Sequence, residues 1–513
     1  MLIEISAFER VLSFIRRLVV TLSGAGLLIG LVLTSTAVPA PLASARGTRG
    51  AVDGVTIHPM ASGFFVSTTQ PPTEAECVAR FTVPCYDPAQ MQTAYNEQPL
   101  FNRGVTGRGE TIVIVDAFGS PTIQSDLTMF DAQFGLPAPP SFKIITPAGP
   151  LAPYDPTNTN GDVTWAGEAT LDVEWSHTMA PEANIVLVET PVAETEGTAG
   201  FPQIVEAENY VIDHHLGDVI SQSFAATEQT FPNAFSLLSL RSAYINAYNQ
   251  GITVLAGTGD TAAANYSNVA GTSLFTYPTV DWPASDPLVT AVGGTQLSLD
   301  AAGQRTEPDQ VWNDTYDAGL QAAFGATAAT GPIPLSGGGG LSSVFPRPWY
   351  QNGVANVVGD QRGVPDISMS AACSGMVDTY ESFEDHSGAD GWYVNCGTSE
   401  ATPLFAGVVA LADQVAGHPL GLINPALYQL SAEHAPGLVD VTTGNNTVTF
   451  LQNNQLYTVR GNSAGPGYDL ASGVGTINAA YFVPELAQTA GGFIGAGPND
   501  NYFGPQSSTS PWD

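Results

Sequence analysis

A serine hydroxyl attacks nothing until a positioned base takes its proton. Ser399 stands in residues 394–411, VNCGTSEATPLFAGVVAL, between a small-residue turn and an apolar helical pattern, with no histidine beside it. The base must therefore come from elsewhere in the chain. Residues 167–182, GEATLDVEWSHTMAPE, read as a helical stretch stopped by Pro181. Glu168 and Asp172 are four apart on it, so their carboxyls share one face within mutual reach. Two carboxyls that close titrate as a pair that keeps a proton, which suits a general base working in acid. Taken alone, the spacing also fits an acidic pair on a solvated helix face. A third segment, GITVLAGTGDTA at 251–262, is a strand running into a Gly-rich turn that ends on Asp260. A protonated Asp there would donate to the oxyanion formed when Ser399 attacks a carbonyl, whereas an ionised one would repel it. Its plainer reading is a turn former.

These residues need elements to carry them. From Thr111 the chain alternates apolar strand-like runs (TIVIVDAF, NIVLVET, DVISQSF, ITVLAG, PLVTAVGG) with helical patterns such as 236–250. Continuous apolar strands between helices predict an α/β fold, a doubly wound parallel sheet with helices on both faces. Sites in such sheets gather beyond the strands' carboxyl ends. Ser399 is expected to open a helix whose amino end favours negative charge, with Pro403 in its first turn.

The chain has 513 residues, enough for one large domain with tails. Only 12% are charged, against about 25% in an average protein, yet the balance is −34 because Lys and Arg number 14. A scarcity of cations, without a crowd of carboxylates, fits work in acid better than a salt-adapted surface. Lys143 is the only lysine, which argues against nucleic acid as a partner. Residues 1–45 read as a secretory signal: Arg10, Arg16 and Arg17, an apolar run from Leu18 to Leu33, then Ala43 and Ala45 at signal-peptidase spacing. A retained membrane anchor is the alternative, and no other segment is long and apolar enough to span a bilayer. Residues 46–85 form a short mixed segment, 86–485 the main domain, and 486–513 a Gly-, Asn- and Ser-rich tail. Four cysteines in an exported chain suggest two disulfides; of three connectivities, Cys77 with Cys85 and Cys373 with Cys396 are favoured.

Several ordered motifs together resemble one family. GTSEATPLFAG is similar to the Gly-Thr-Ser-x-x-x-Pro motif of the sedolisins, the serine-carboxyl peptidases; EATLD matches their Glu-x-x-x-Asp pair. GTGD matches the segment bearing their oxyanion Asp, although serine is commoner where Thr258 stands. DWPASDPLVTAVGGTQL, GGGGLSSVFPRPWYQ and GVPDISMSAACSG also resemble family segments, so the likeness runs from about Tyr86 to Phe482. It implies a subtilisin-like fold, Ser399 as nucleophile, Glu168 as base and then acid, Asp172 orienting Glu168, and Asp260 with the Ser399 amide at the oxyanion. Asp116 resembles a position from which some members extend the acid network. The implied product is a secreted, monomeric endopeptidase acting on peptides or unfolded protein in acid.

The resemblance also implies one structural calcium ion. GLVDVTTGNN at 437–446 and SAGPGYDLASGVG at 463–475 resemble the two halves of the sedolisin site, with the Asp440 and Asp469 carboxylates and the carbonyls of Val441, Gly465 and Gly467 as ligands. Hard cations take such oxygens. Most sedolisins carry a large prodomain, for which the segment between the signal and Tyr86 is too short, so the maturation route is open. Two competing expectations stand beside the leading one: a catalytically silent relative binding peptide or cell-surface material, perhaps along SQSFAATE, and a His-dependent subtilisin-type protease. For the second, His177, His214 and His215 lack a subtilisin His motif.

Overall fold

The β-branched runs read as strands assemble around Thr111–Ala117 in the computed structural model, which describes residues 58–59, 62–159, 161–192, 200–268, 271–383 and 390–491. The signal-like residues 1–45 and the tail from residue 492 lie outside the described residues. Short strands β1 (His58–Pro59), β2 (Ser62–Ser67) and β3 (Cys85–Tyr86) precede the main sheet. That sheet is built from β4 (Thr111–Ala117), β5 (Phe142–Ile145), β6 (Asn184–Thr190), β7 (Val219–Gln222), β9 (Thr253–Gly257), β11 (Thr290–Gln296), β12 (Gln310–Val311) and β15 (Ile367–Ser370). Between them lie β8 (Phe224–Thr227) and β10 (Asp281–Trp282), which pair with each other, and β13 (Gly340–Pro346) with β14 (Gln361–Val364). β16 (Met376–Glu381) and β17 (Gly391–Cys396) form a hairpin extended by β2 and β3.

The main sheet runs in the order β12-β11-β9-β7-β4-β6-β5, with β15 also on β11. Every pairing is parallel except β11 with β12. From β4 the chain moves one way to β5 and β6 and then the other way to β7, β9 and β11. That reversal opens a crevice at the strands' carboxyl ends, where ligands bind in sheets of this kind. β4 and β7 are buried on both faces, as a helix-covered parallel sheet requires. The covering helices include α1 (Ile123–Phe134), α2 (Asp162–Met179), α3 (Phe201–Asp213), α4 (Ser242–Gln250) and α5 (Thr398–Ala416). α2 and α5 pack on each other and on the sheet, while α3 and α4 pair with each other and cover it through β6 and β9. Both expected disulfides form, Cys77–Cys85 and Cys373–Cys396.

Two local expectations are corrected. The helical pattern at 236–250 divides into Ala234–Leu238 and α4, because Arg241 turns into the core to meet Asp286 with two nitrogens. α5 begins at Thr398, before Ser399, so Pro403 falls in the second turn. Having no N–H, Pro403 leaves the carbonyl of Ser399 without its helical partner.

A second buried cation holds the lower part of the sheet. Arg362 grips Asp366 through two nitrogens, and Asp366 also accepts from the Ala291 amide and the Tyr428 hydroxyl. Removing the cation alone strands a carboxylate in the core. Arg362→Ala is expected to lower unfolding stability by about 3–5 kcal/mol in denaturant titration, with a loss under 1 kcal/mol refuting that account.

Candidate active site

Ser399 and the acid pair are carried by two helices that pack on each other. The Cβ position of Gly407 on α5 lies 2.5 Å from Met179 Cβ and 3.0 Å from the Ser176 carbonyl on α2, so a side chain there would force the helices apart. Seven residues on, Gln414 accepts the amides of Thr106 and Gly107, and Thr106 bonds Glu182 just past the end of α2. The helices therefore run parallel. Ser399 is eight residues before Gly407 and Glu168 eight before Ser176, about 12 Å back along each axis. This register puts Ser399 level with Glu168. Both side chains are fully buried.

Asp172, one turn after Glu168, accepts a 2.8 Å hydrogen bond from Ser223, which directly follows β7. Burial, and then the charges of Asp116 and Glu168, hold the Asp172 carboxyl well above the usual range. Asp116 lies near the end of β4 with no hydrogen-bond partner among the described residues on either carboxyl oxygen, and burial likewise pushes it well up, with Glu189 adding to the effect. Protons, rather than cations, thus keep this cluster neutral.

Asp260 follows β9 and reaches the first turn of α5. Its Oδ1 accepts both the Thr398 amide, at 2.8 Å, and the Thr398 hydroxyl, at 2.9 Å. The Thr398 hydroxyl in turn accepts the Gly259 amide at 3.2 Å. Burial first, with a smaller contribution from Asp281, raises the Asp260 carboxyl to about 8 against the lowering effect of those bonds. With Oδ1 taken twice as acceptor, the proton belongs on Oδ2, which is then a donor. Gly397, at φ 127°, makes the turn that delivers Thr398 and Ser399 to the helix start.

Two of the described histidines, His177 and His214, are engaged elsewhere. His177 is nine residues, two and a half turns, from Glu168 and so faces the opposite side of α2. Its Nε2 lies 2.8 Å from the Pro137 carbonyl and 3.2 Å from Asp131. His214 bonds the Tyr210 carbonyl and stacks on that ring.

At the expected calcium loop, Gly465 N–H donates to Asp469 and Gly467 N–H to Asp440, so one glycine turn draws both carboxylates together. Asp469 Oδ1 is further held by the amides of Ala471 and Ser472. The Val441 carbonyl lies beside Ser472. Among the described residues no three His, Cys, Asp or Glu side chains cluster as a metal site. A cation here would thus take two carboxylates and complete its shell with carbonyls, a donor set that fits a hard ion.

Four contributors escaped the motif reading: Ser223 on Asp172, Thr398 on Asp260, and the buried Asp281 and Glu400 beside Asp260. All four stand in segments quoted above, Thr398 and Glu400 in GTSEATPLFAG, Ser223 in SQSFAATE and Asp281 in DWPASDPLVTAVGGTQL, but what each side chain touches is decided by the fold.

A parallel α/β sheet with a serine at a helix start and carboxyls at the strand ends defines a subtilisin-like peptidase scaffold, and comparison with known proteins agrees. Residues 157–426 match the subtilase family model. Kumamolisin of Bacillus sp. (strain MN-32) is 30% identical over 435 residues, covering 83% of this chain and 68% of that protein. Human tripeptidyl-peptidase 1 is 30% identical over 337 residues, and the match spans about half of its length, 51%. The solved structure of Pseudomonas sedolisin, a serine-carboxyl proteinase complexed with two molecules of pseudo-iodotyrostatin, shares the fold at TM-score 0.62 and 23% identity, over 80% of this chain and 98% of that one. The chain belongs to the sedolisin family of the subtilases.

The raised carboxyls make stability depend on pH. Burial lifts Glu189 and Asp281 to about 7 and Glu208 to about 8, from unfolded values near 4. Between those limits the native state binds more protons than the unfolded one, so stability falls as pH rises. Calorimetry is expected to show the thermal midpoint highest near pH 4 and falling through pH 8; a midpoint that climbs over this range would contradict it.

Proposed function

We propose that this protein is a secreted serine-carboxyl endopeptidase that hydrolyses peptides or unfolded protein in acid through an acyl-enzyme on Ser399. The observation that carries this reading is the double hydrogen bond from Thr398, the residue before Ser399, to Asp260, a carboxyl kept protonated by burial. Ser399 Oγ attacks the scissile carbonyl as its proton passes to Glu168. The oxyanion accepts from Asp260 and from the Ser399 amide. Glu168 then gives the proton to the departing amine as the C–N bond breaks. In the second half a water loses its proton to Glu168 and attacks the ester, and Ser399 recovers its proton as it leaves. Asp172, held by Ser223, orients Glu168 throughout.

The chain acts as a monomer in this reading. No described helix is long and apolar enough to cross a membrane. One calcium ion, bound by Asp440 and Asp469 with the carbonyls of Val441, Gly465 and Gly467, supplies a structural tie between two loops. It takes no part in the reaction.

Ser399→Ala is expected to abolish cleavage of a quenched peptide at every pH. In the active chain, kcat/KM falls on the alkaline side as Asp260 loses its proton, at about pH 8 in the free enzyme. Asp260→Ala should cost about 10²–10³ in kcat, and Asp260→Asn, which keeps a donor at all pH values, should remove that alkaline limb. An unchanged limb in Asp260→Asn would take Asp260 out of the oxyanion role.

Calcium at a hundredfold excess over its dissociation constant should add about 2.7 kcal/mol to stability. A thermal midpoint that is the same in chelator and in calcium, or a calcium response that survives Asp440→Ala, would remove this site.

A further inference from the structure

The four glycines at 337–340 lie against the turn that carries Asp260. Ser336 N–H donates to the Asp260 carbonyl at 2.9 Å and Gly338 N–H to the Gly259 carbonyl at 2.8 Å, while the Ser336 carbonyl accepts the Ala262 amide at 2.9 Å. Three main-chain bonds thus clamp the turn on both sides of Asp260. A Cβ at Gly338 would collide with the Thr258 carbonyl, so only a bare backbone comes this close.

A strap of glycines has no side chains with which to hold itself. The Trp312 carbonyl fixes its start through Ser336 Oγ and Gly337 N–H, and β13 fixes its end at Gly340. Between those points its carbonyls face Asn446, which is fully buried. Asn446 Nδ2 donates to the carbonyls of Gly337 and Gly339, at 3.4 and 3.3 Å, and Oδ1 accepts the Asn462 amide at 2.6 Å. Asn462 Nδ2 adds a second bond to the Gly339 carbonyl at 3.4 Å. Asn446 stands at the base of a hairpin, Val448–Gln452 with Gln455–Val459, whose buried Val448, Phe450 and Val459 pack with Ala262–Ala264 just past Asp260. One base therefore supports the turn twice, by apolar contact and through the strap.

We infer that Asn446 is a positioning residue of the oxyanion site: by holding the Gly337–Gly340 strap it keeps the Asp260 turn in place and the Asp260 carboxyl against Thr398. Without its amide the strap loses two of the three side-chain bonds that hold those carbonyls, and a buried carbonyl left without a donor drives the backbone to shift. A displaced oxyanion donor slows the chemical step without weakening substrate binding, because the oxyanion exists only once the carbonyl has been attacked. The kinetic arm of the test rests on the peptidase reading, but the hold on the turn does not.

The test uses the full chain with Asn446→Ala. In a Ser399→Ala background, amide exchange over residues 259–262 and 336–338 should quicken at least tenfold while exchange in β4 stays unchanged. In the active chain kcat on a quenched peptide should fall about tenfold, with KM within twofold. A residue that only supported the hairpin would loosen 448–459 and leave the turn intact, so unchanged exchange at 259–262 overturns the inference. A kcat that does not fall, or a loss carried by KM alone, overturns it as well. Should Asn446→Ala not fold, Asn462→Ala decides: half-buried, it removes only one bond from Gly339 and must give the same pattern at threefold or more in exchange and kcat, a null result overturning the inference. Faster exchange at the turn with no hydrolysis even by the unsubstituted chain upholds the role of Asn446 in holding Asp260 and overturns the peptidase reading instead.

Discussion

The close approach of α2 and α5 at Gly407 determines where everything else at the site can stand. The two helices rise from different parts of the chain, one carrying the acid pair and one the serine, and their register decides whether those groups meet. A contact in which Gly407 brings no side chain and meets the Met179 Cβ and the Ser176 carbonyl leaves that register little freedom. The sheet beneath them supplies the remaining groups from strand ends: Asp116 near the end of β4, Ser223 after β7 and Asp260 after β9.

Around that contact the electrostatics are one-sided. Buried carboxyls in most proteins meet an arginine or lysine, as Asp286 and Asp366 do here. Asp172 instead lies near Asp116, and Asp260 near Asp281 and Glu400, and burial is the largest cause of every shift. Ionising any of them would place a charge in the interior beside another acid. The cheapest state is neutral, and neutrality is what a carboxyl needs to donate a hydrogen bond. The shortage of cations in the composition and the chemistry of the site thus have a common physical origin.

Much of this was readable from the chain because it is local. The Glu168–Asp172 spacing needs only helical periodicity, the position of Asp260 only a strand followed by a Gly turn, and the parallel sheet only its β-branched runs. The disulfides followed from short sequence separations. What could not be read depends on distant partners. Ser223 meets Asp172 across 51 residues and Thr398 meets Asp260 across 138. Arg241 splits an otherwise regular helical pattern because Asp286, 45 residues away, pulls it inward. Periodicity carries no trace of such pulls. The loop expected to hold calcium is intermediate: its glycines and aspartates are visible in sequence, but the turn that draws Asp440 toward Asp469 is a product of folding.

Pro403 has a mechanical effect distinct from its place in the motif. From Phe405 to Ala416 α5 is a rod wedged between α2 and the sheet. Ahead of Pro403, the Ser399 carbonyl lacks the bond that would splice the first turn to that rod. Ser399 is therefore mounted on a short articulated nose, located chiefly by Asp260 through Thr398. Such a nose can adjust the position of Ser399 while the rod behind it stays still.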